Sequence, residues 1–167
     1  MVTVQKEANA EENLAALVKS VESLLEGEED PIAALANISA AIYAYLPQIN
    51  WAGFYLLKGK DLVLGPFQGL PACSRIGEGK GVCGAAVRDR GTLIVEDVHA
   101  FPGHIACDSA SASEIVVPLF VRGTVRGVLD IDSPVPGRFT ALEKEYLEQI
   151  GKCAGAFLES RDPEAAR

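Results

Sequence analysis

Positive charge is the minority here: 15 Lys and Arg stand against 23 Asp and Glu, a formal net charge of −8 over 167 residues. That balance repels polyanions, so nucleic-acid and anionic-membrane partners are disfavoured. No run of about 18 consecutive apolar residues occurs, so no membrane-spanning helix is expected. No basic segment followed by an apolar one opens the chain, so no secretory signal is expected either. The expected compartment is the reducing cytoplasm, where cysteines are catalytic, redox-active or metal-bound more often than structural disulfides. Histidine is scarce, at two residues, and cysteine is limited to four. There is no CxxC and no HxxxH. A metal centre joining the thiols to His99 or His104 therefore has poor ligand spacing, and no metal is expected. Repeats, low-complexity tracts and linkers are also absent, which fits one domain of this length.

What the chain has is apolar mass. Hydrophobic residues make up 49% of it, enough for a globular core rather than a disordered chain. A chain of this size buries roughly 70% of the surface that its unfolded form exposes. Leu14, Leu17, Val18, Val21, Leu24 and Leu25 recur at helical spacing between Glu12 and Glu26. Asp30-Pro31 offers an N-cap and a proline at the first helical position. Ile32, Leu35, Ile38, Ile42 and Leu46 then form a second helical face, ended by Pro47. "NWAGFYLL" reads as a strand, Gly59 as a turn and "DLVLG" as the hairpin partner. "GEGKGVCGAAV" opens with glycines and continues as a short helix. "TLIVEDV", "SEIVVPLF" and "GTVRGVLDID" supply three more strands. Thr140 and Glu143 spell a capping box. The long helix after it has an apolar stripe of Leu142, Tyr146, Leu147, Ile150, Cys153 and Phe157. Two helices, closely spaced strands and a final helix argue for an α+β fold with a mostly antiparallel sheet. Residues 1–10 read as a frayed start, 11–160 as the domain and 161–167 as a tail.

The thiols pose the chemical question. Cys153 lies on the apolar stripe of the last helix, where a buried free cysteine is ordinary packing. Cys73, Cys83 and Cys107 lie instead in or beside glycine-rich and polar segments. Cys107 sits in "HIACDSASASE", a stretch with nothing to build a core from. Thiols so placed are an oxidation liability unless used. Thiol redox chemistry uses them: a low-pKa thiolate attacks an oxidised substrate and is captured by a second thiol as a disulfide. The acids add a second constraint. Asp130 and Asp132 in "LDIDS" share one face of a strand, alternating with Leu129 and Ile131. If that strand pairs with the one beginning near Glu114, the three acids are neighbours. They either line a solvated face or cluster. Clustered, two carboxylates about 4 Å apart repel by about 4 kcal/mol at an effective dielectric near 20, so the group retains a proton or awaits a cation. Trp51 and Tyr55, four apart on a strand, are either core aromatics or the wall of an apolar pocket.

Taken together, "NWAGFYLL", "GPFQGLPACSRIGEGKGVCG", "VEDVHAFPGHIACDSASASEIVVPL" and "GVLDIDSP" resemble the free methionine-(R)-sulfoxide reductases, a family built on the GAF fold. The likeness runs from about Asn50 to the final helix. It implies a single GAF domain that reduces free methionine-(R)-sulfoxide to methionine. Cys107 matches the attacking thiol, and Cys73 and Cys83 match its partners, Cys73 as the main resolving one. Glu114, Asp130 and Asp132 match the acids of the substrate site, with Glu114 and Asp132 in the catalytic set, and Trp51 and Tyr55 match its aromatic wall. Backbone N–H groups of the 104–107 loop, with Ile105 and Ala106, are expected to hold the substrate carboxylate. The resemblance implies no bound cofactor, thioredoxin with its NADPH-dependent reductase as the external reductant, and a homodimer. Two other readings use the same features: a small-ligand sensor, as related GAF domains are, and a thiol redox switch without turnover. Sensor domains usually belong to longer chains with an output module, and none fits within this length.

Overall fold

In the computed structural model, which describes residues 9–103 and 110–161, a six-stranded sheet carries helices on both faces. The chain order is α1 (Ala10–Leu25), α2 (Pro31–Tyr45), β1 (Trp51–Lys58), β2 (Asp61–Gly69), β3 (Arg75–Ile76), α3 (Gly81–Asp89), β4 (Leu93–Val95), β5 (Ser113–Val121), β6 (Thr124–Ser133) and α4 (Ala141–Ser160). The strand order is β3-β2-β1-β6-β5-β4, and every neighbouring pair is antiparallel. The α+β class and antiparallel sheet expected from the sequence are what forms.

Local chemistry sets the helix ends. Asp30 Oδ1 accepts from the backbone N–H of Ile32 and Ala33 at 2.8 and 2.9 Å, so α2 starts as its Asp-Pro pair requires. Thr140 and Glu143 complete the capping box of α4. Helix α1 begins at Ala10 because Asn9 caps it through the N–H of Glu11. Leu142, counted in the apolar stripe of α4, is instead exposed. It lies in the first turn, before the helix reaches the sheet.

The strands differ from expectation in three places. β2 runs on past "DLVLG" to Gly69. Gly53 pairs with Phe67 but Tyr55 with Leu64, so Gly65 and Pro66 together oppose one residue of β1. Such a bulge tolerates a proline that a regular ladder would reject. β3 is a two-residue strand invisible to periodicity. "TLIVEDV" keeps only Leu93–Val95 as strand, since Asp97 caps a short 3-10 turn at Val98–Ala100.

Alternation along the strands divides the interior in two. On one face Phe54, Ile115, Val117, Leu119, Leu129 and Ile131 pack against α1, α2 and α4. On the other, Trp51, Tyr55, Val116 and Val128 pack beneath α3 with Val82, Cys83 and Ala86. The chemistry lies on this second face.

Candidate active site

Register assembles the site. Trp51 lies opposite Asp132 and Gly53 opposite Asp130 across β1 and β6. On the far side of β6, Asp132 lies opposite Glu114 and Asp130 opposite Val116. Residues directly opposite share a face. One row is therefore Trp51–Asp132–Glu114, the next Gly53–Asp130–Val116, and Glu114 reaches Asp130 on the diagonal.

Above β1 stand three rings. The Trp51 ring stacks on Phe67 with centroids 5.3 Å apart and on Tyr55 at 5.8 Å. A Cβ on Gly53 would lie 2.3 Å from the Phe67 Cβ and 2.7 Å from the Trp51 ring, so the stack needs glycine beneath it. Phe67 went unnoticed in the sequence because Pro66 masks the continuation of its strand. The glycine in "NWAGFY", set among aromatics, was the available signal. The polar ends of the two β1 aromatics point into one loop. Trp51 Nε1–H donates to the Leu70 carbonyl at 3.1 Å, and the Tyr55 hydroxyl donates to the Cys73 carbonyl at 3.0 Å.

Helix α3 roofs the acids. Gly84 lets it sit close to its own leading turn, since a Cβ there would meet the Gly79 backbone at 2.6 Å. This approach brings Cys83 Sγ to 3.8 Å from Glu114 Oε1. Donor atoms of Cys83, Glu114 and Asp130 all lie within 4.8 Å of one another, and all three residues are buried. Asp132 is half-buried at their side.

Burial decides the charge state. Desolvation, followed by the nearby Asp130 and Asp132, pushes the Glu114 carboxyl well above its ordinary value. Asp130 is pushed up to about 6, chiefly by burial, with hydrogen bonds from Glu114 and Cys83 opposing the rise. The pair thus shares a proton that resides on Glu114 and is donated toward Asp130. Burial, then Asp130 and Glu114, pushes the Cys83 thiol up. It is held neutral and is a poor nucleophile in this state. Tyr55 is raised by burial and the same acids. Asp130 Oδ1 is buried with no hydrogen-bond partner among the described residues. An unmet buried acceptor costs on the order of 1–3 kcal/mol, so a hydrogen-bond donor at this oxygen is favoured.

Trp51, Tyr55, Cys83, Glu114, Asp130 and Asp132 are thus brought together, and Cys73 is tied to Tyr55. Cys73 is disulfide-bonded, whereas Cys83 and Cys153 are free thiols. His99 lies in the 3-10 turn, exposed and apart from the acid cluster. His104, Ile105, Ala106 and Cys107 lie outside the described residues.

A sheet with this helix arrangement and a roofed acid pocket is a GAF domain. The GAF domain model matches residues 33–159, and the chain belongs to that family. Within it, the chain is similar to the free methionine-R-sulfoxide reductase of Escherichia coli K12, at 54% identity over 85% of this chain and 86% of that protein. It is 44% identical to the enzyme of that name from Saccharomyces cerevisiae, over 90% and 88% of the two chains. The X-ray structure of free methionine-R-sulfoxide reductase from Neisseria meningitidis in complex with its substrate superposes with a TM-score of 0.92. It is 40% identical, with 96% and 98% of the two chains covered. These relatives mark the chain as an oxidoreductase of the methionine-R-sulfoxide reductase kind. No described helix is long and apolar enough to cross a membrane.

Proposed function

We propose that the chain reduces free L-methionine-(R)-sulfoxide to L-methionine in the cytoplasm. One observation carries this reading: a pair of buried carboxyls, Glu114 and Asp130, lies beneath Cys83 of α3 and beside an aromatic wall whose polar ends hold the loop of a disulfide-bonded cysteine. The names of the relatives supply the substrate.

The substrate ammonium approaches Asp130 and Asp132, giving the unpartnered Asp130 oxygen a donor. The S-methyl packs on Trp51 and Tyr55. Backbone N–H groups near Ile105 and Ala106 hold the carboxylate. Glu114 gives its proton to the sulfoxide oxygen, which makes sulfur electrophilic. The Cys107 thiolate attacks that sulfur and forms an S–S bond to an adduct that still carries the hydroxyl. The hydroxyl then passes to the Cys107 sulfur as the substrate S–O bond and the new S–S bond break, so methionine leaves and Cys107 is a sulfenic acid. The Cys73 thiol attacks the sulfenic sulfur. Water departs and a disulfide forms. Thioredoxin, a dithiol, takes over that disulfide and returns two thiols to the enzyme. Cys83 stays a neutral thiol beside Glu114. Enclosure of the pocket rejects methionine sulfoxide within a polypeptide, whose flanking peptide bonds would clash. Two copies are proposed to form a homodimer, which light scattering measures directly.

The test couples turnover to NADPH loss through thioredoxin and its reductase. Free methionine sulfoxide enriched in the R epimer should be turned over, the S epimer and a sulfoxide-containing peptide should not, and Cys107→Ser should be inactive. Absence of turnover, with a disulfide formed reversibly by peroxide alone, would replace the enzyme by a redox switch. Saturable ligand binding that survives loss of Cys73, Cys83 and Cys107, again without turnover, would replace it by a sensor.

A further inference from the structure

Trp51 and Tyr55 do more than face a pocket. Their rings lie on the site side of β1, yet their only polar atoms reach past it to the Leu70–Cys73 loop. Trp51 Nε1–H holds the Leu70 carbonyl and the Tyr55 hydroxyl holds the carbonyl of Cys73 itself. Both rings are almost wholly buried, at 2% and 1% exposure, and locked in one stack with Phe67. The near end of the loop they hold, Leu70 and Pro71, is exposed. Its far end, Ala72 and Cys73, packs on the core beneath α3, and Leu64 N–H donates to the Ser74 carbonyl at 3.1 Å before the two-residue β3. In this structure the clamp is closed while Cys73 is disulfide-bonded.

We propose that Tyr55 and Trp51 are positioning residues for Cys73, clamping its loop in the disulfide state and releasing it when the disulfide is reduced. A clamp made only in the disulfide state stabilises that state, because an interaction shifts an equilibrium by its difference between the two sides. Removing the Tyr55 hydroxyl therefore makes the disulfide easier to reduce. The Cys73 carbonyl loses its donor inside a partly buried loop, which costs about what one hydrogen bond contributes. The expected change is roughly tenfold in the thiol–disulfide equilibrium constant, which for a two-electron couple is about 30 mV toward a less negative potential. The inference rests on Cys73 cycling between thiol and disulfide, as the proposed reaction requires. Its test needs no sulfoxide, so its failure and the failure of that reaction are distinguishable.

The experiment equilibrates the purified protein with mixtures of glutathione and glutathione disulfide. Two glutathione thiols supply two electrons and two protons to the protein disulfide, leaving two protein thiols and one glutathione disulfide. Mass spectrometry after alkylation reads the fraction reduced at Cys73. Tyr55→Phe should shift the midpoint about tenfold toward reduction. Tyr45→Phe is the control, because it removes a comparable buried hydroxyl, bonded to Ser20 at 2.9 Å on the opposite face of the sheet. It should leave the midpoint unmoved. A loss of melting temperature in Tyr55→Phe without a shifted midpoint assigns the hydroxyl to packing and overturns the proposal. So does an equal shift in both variants. A second reading uses the unaltered protein, in case Tyr55→Phe does not fold. Trp51 is the one tryptophan in the sequence. Its fluorescence emission maximum should move on reduction, with the same midpoint as Cys73 alkylation, as the indole N–H exchanges the Leu70 carbonyl for other surroundings. An emission maximum unchanged through complete reduction means that the clamp does not open, and the proposal fails.

Discussion

The two faces of the sheet are built from the same strands under opposite rules. Along β6, Leu129 and Ile131 turn to the helices and are fully buried among hydrocarbon, while Asp130 and Asp132 turn the other way. Asp130 is nearly as buried as its neighbours, at 6% exposure, yet it is ionisable. The helical face closes on itself through α1, α2 and α4. The α3 face holds a neutral thiol, a proton shared between two carboxyls and an orphaned acceptor. One face is finished by folding, and the other is finished by a ligand only if the proposed reaction holds. Stability and chemistry are thereby assigned to alternate residues of one strand, which substitutions can separate.

The largest effect belongs to Cys107→Ser, which should reduce sulfoxide-dependent NADPH consumption to background while the melting temperature stays near that of the parent. Glu114→Gln comes next. Gln keeps the shape and can donate a hydrogen bond toward Asp130, but it has no proton to transfer. A loss of about 10²–10⁴ in kcat is expected, as for other positioned acids. The same change should stabilise the fold at alkaline pH. Glu114 binds its proton more tightly when folded than when unfolded. Its contribution to stability is full below the ordinary carboxylate range and is lost as pH rises through the raised folded value. Gln escapes that loss, so melting temperatures of variant and parent should agree near pH 4 and diverge in favour of the variant as pH rises. A variant less stable at every pH would show that the buried proton is not where the site strain lies. Asp130→Asn should behave similarly. With Asp130 pushed up to about 6, it should gain roughly 1–3 kcal/mol above that pH.

On the helical face the signs reverse. Ile131→Ala deletes hydrocarbon from a site with no exposure and should cost about 2–5 kcal/mol in chemical denaturation. Turnover per folded molecule should be close to that of the parent at low temperature. Arg138 sharpens the point. It lies 2.6 Å from Glu143, with both side chains 10% exposed, and donates to the Pro47 carbonyl. Arg138→Met strands the Glu143 charge in a nearly closed site and should cost about 3–5 kcal/mol. A large activity loss in either variant, measured on folded protein, would break the division between the faces.

How much of this division was readable before folding depended on period. β6 alternates cleanly, so the shared face of Asp130 and Asp132 followed from "LDID" alone. The pairing of β5 with β6, only a condition in the sequence, then put Glu114 beside them. The helix caps at Asp30 and Thr140 were equally plain, since they depend on near neighbours. Phe67 was hidden because a bulge breaks the period at Gly65-Pro66, and a proline reads as a strand end. β3 was hidden because two residues carry no period at all. The burial of Cys83 was hidden for a third reason. Its glycine-rich surroundings read as the opening of a short helix, with no sign of what that helix covers, whereas Gly84 lets α3 lie close against the Gly79 backbone of its own leading turn. Each miss is a long-range packing fact that local pattern does not encode.

The smallest expected effect compares the two free thiols. Cys153 sits on α4, partly buried against the helical core. Burial, followed by the nearby Glu22, raises its pKa, so it stays a thiol and reacts slowly. Cys83 is also raised by burial, and then by carboxyls that belong to the site. Cys153→Ala removes a small apolar group from a half-open position and should cost less than about 1 kcal/mol, with kcat unchanged. Cys83→Ala removes the hydrogen-bond partner of Glu114. That bond opposes the rise in the Glu114 pKa, so its loss should carry the raised value higher still. The alkaline limb of the kcat profile should therefore move to higher pH in Cys83→Ala and stay in place in Cys153→Ala. Matching profiles for the two variants would mean that the thiol beneath α3 is packing, like its counterpart on α4, and that the face with the chemistry has one working group fewer.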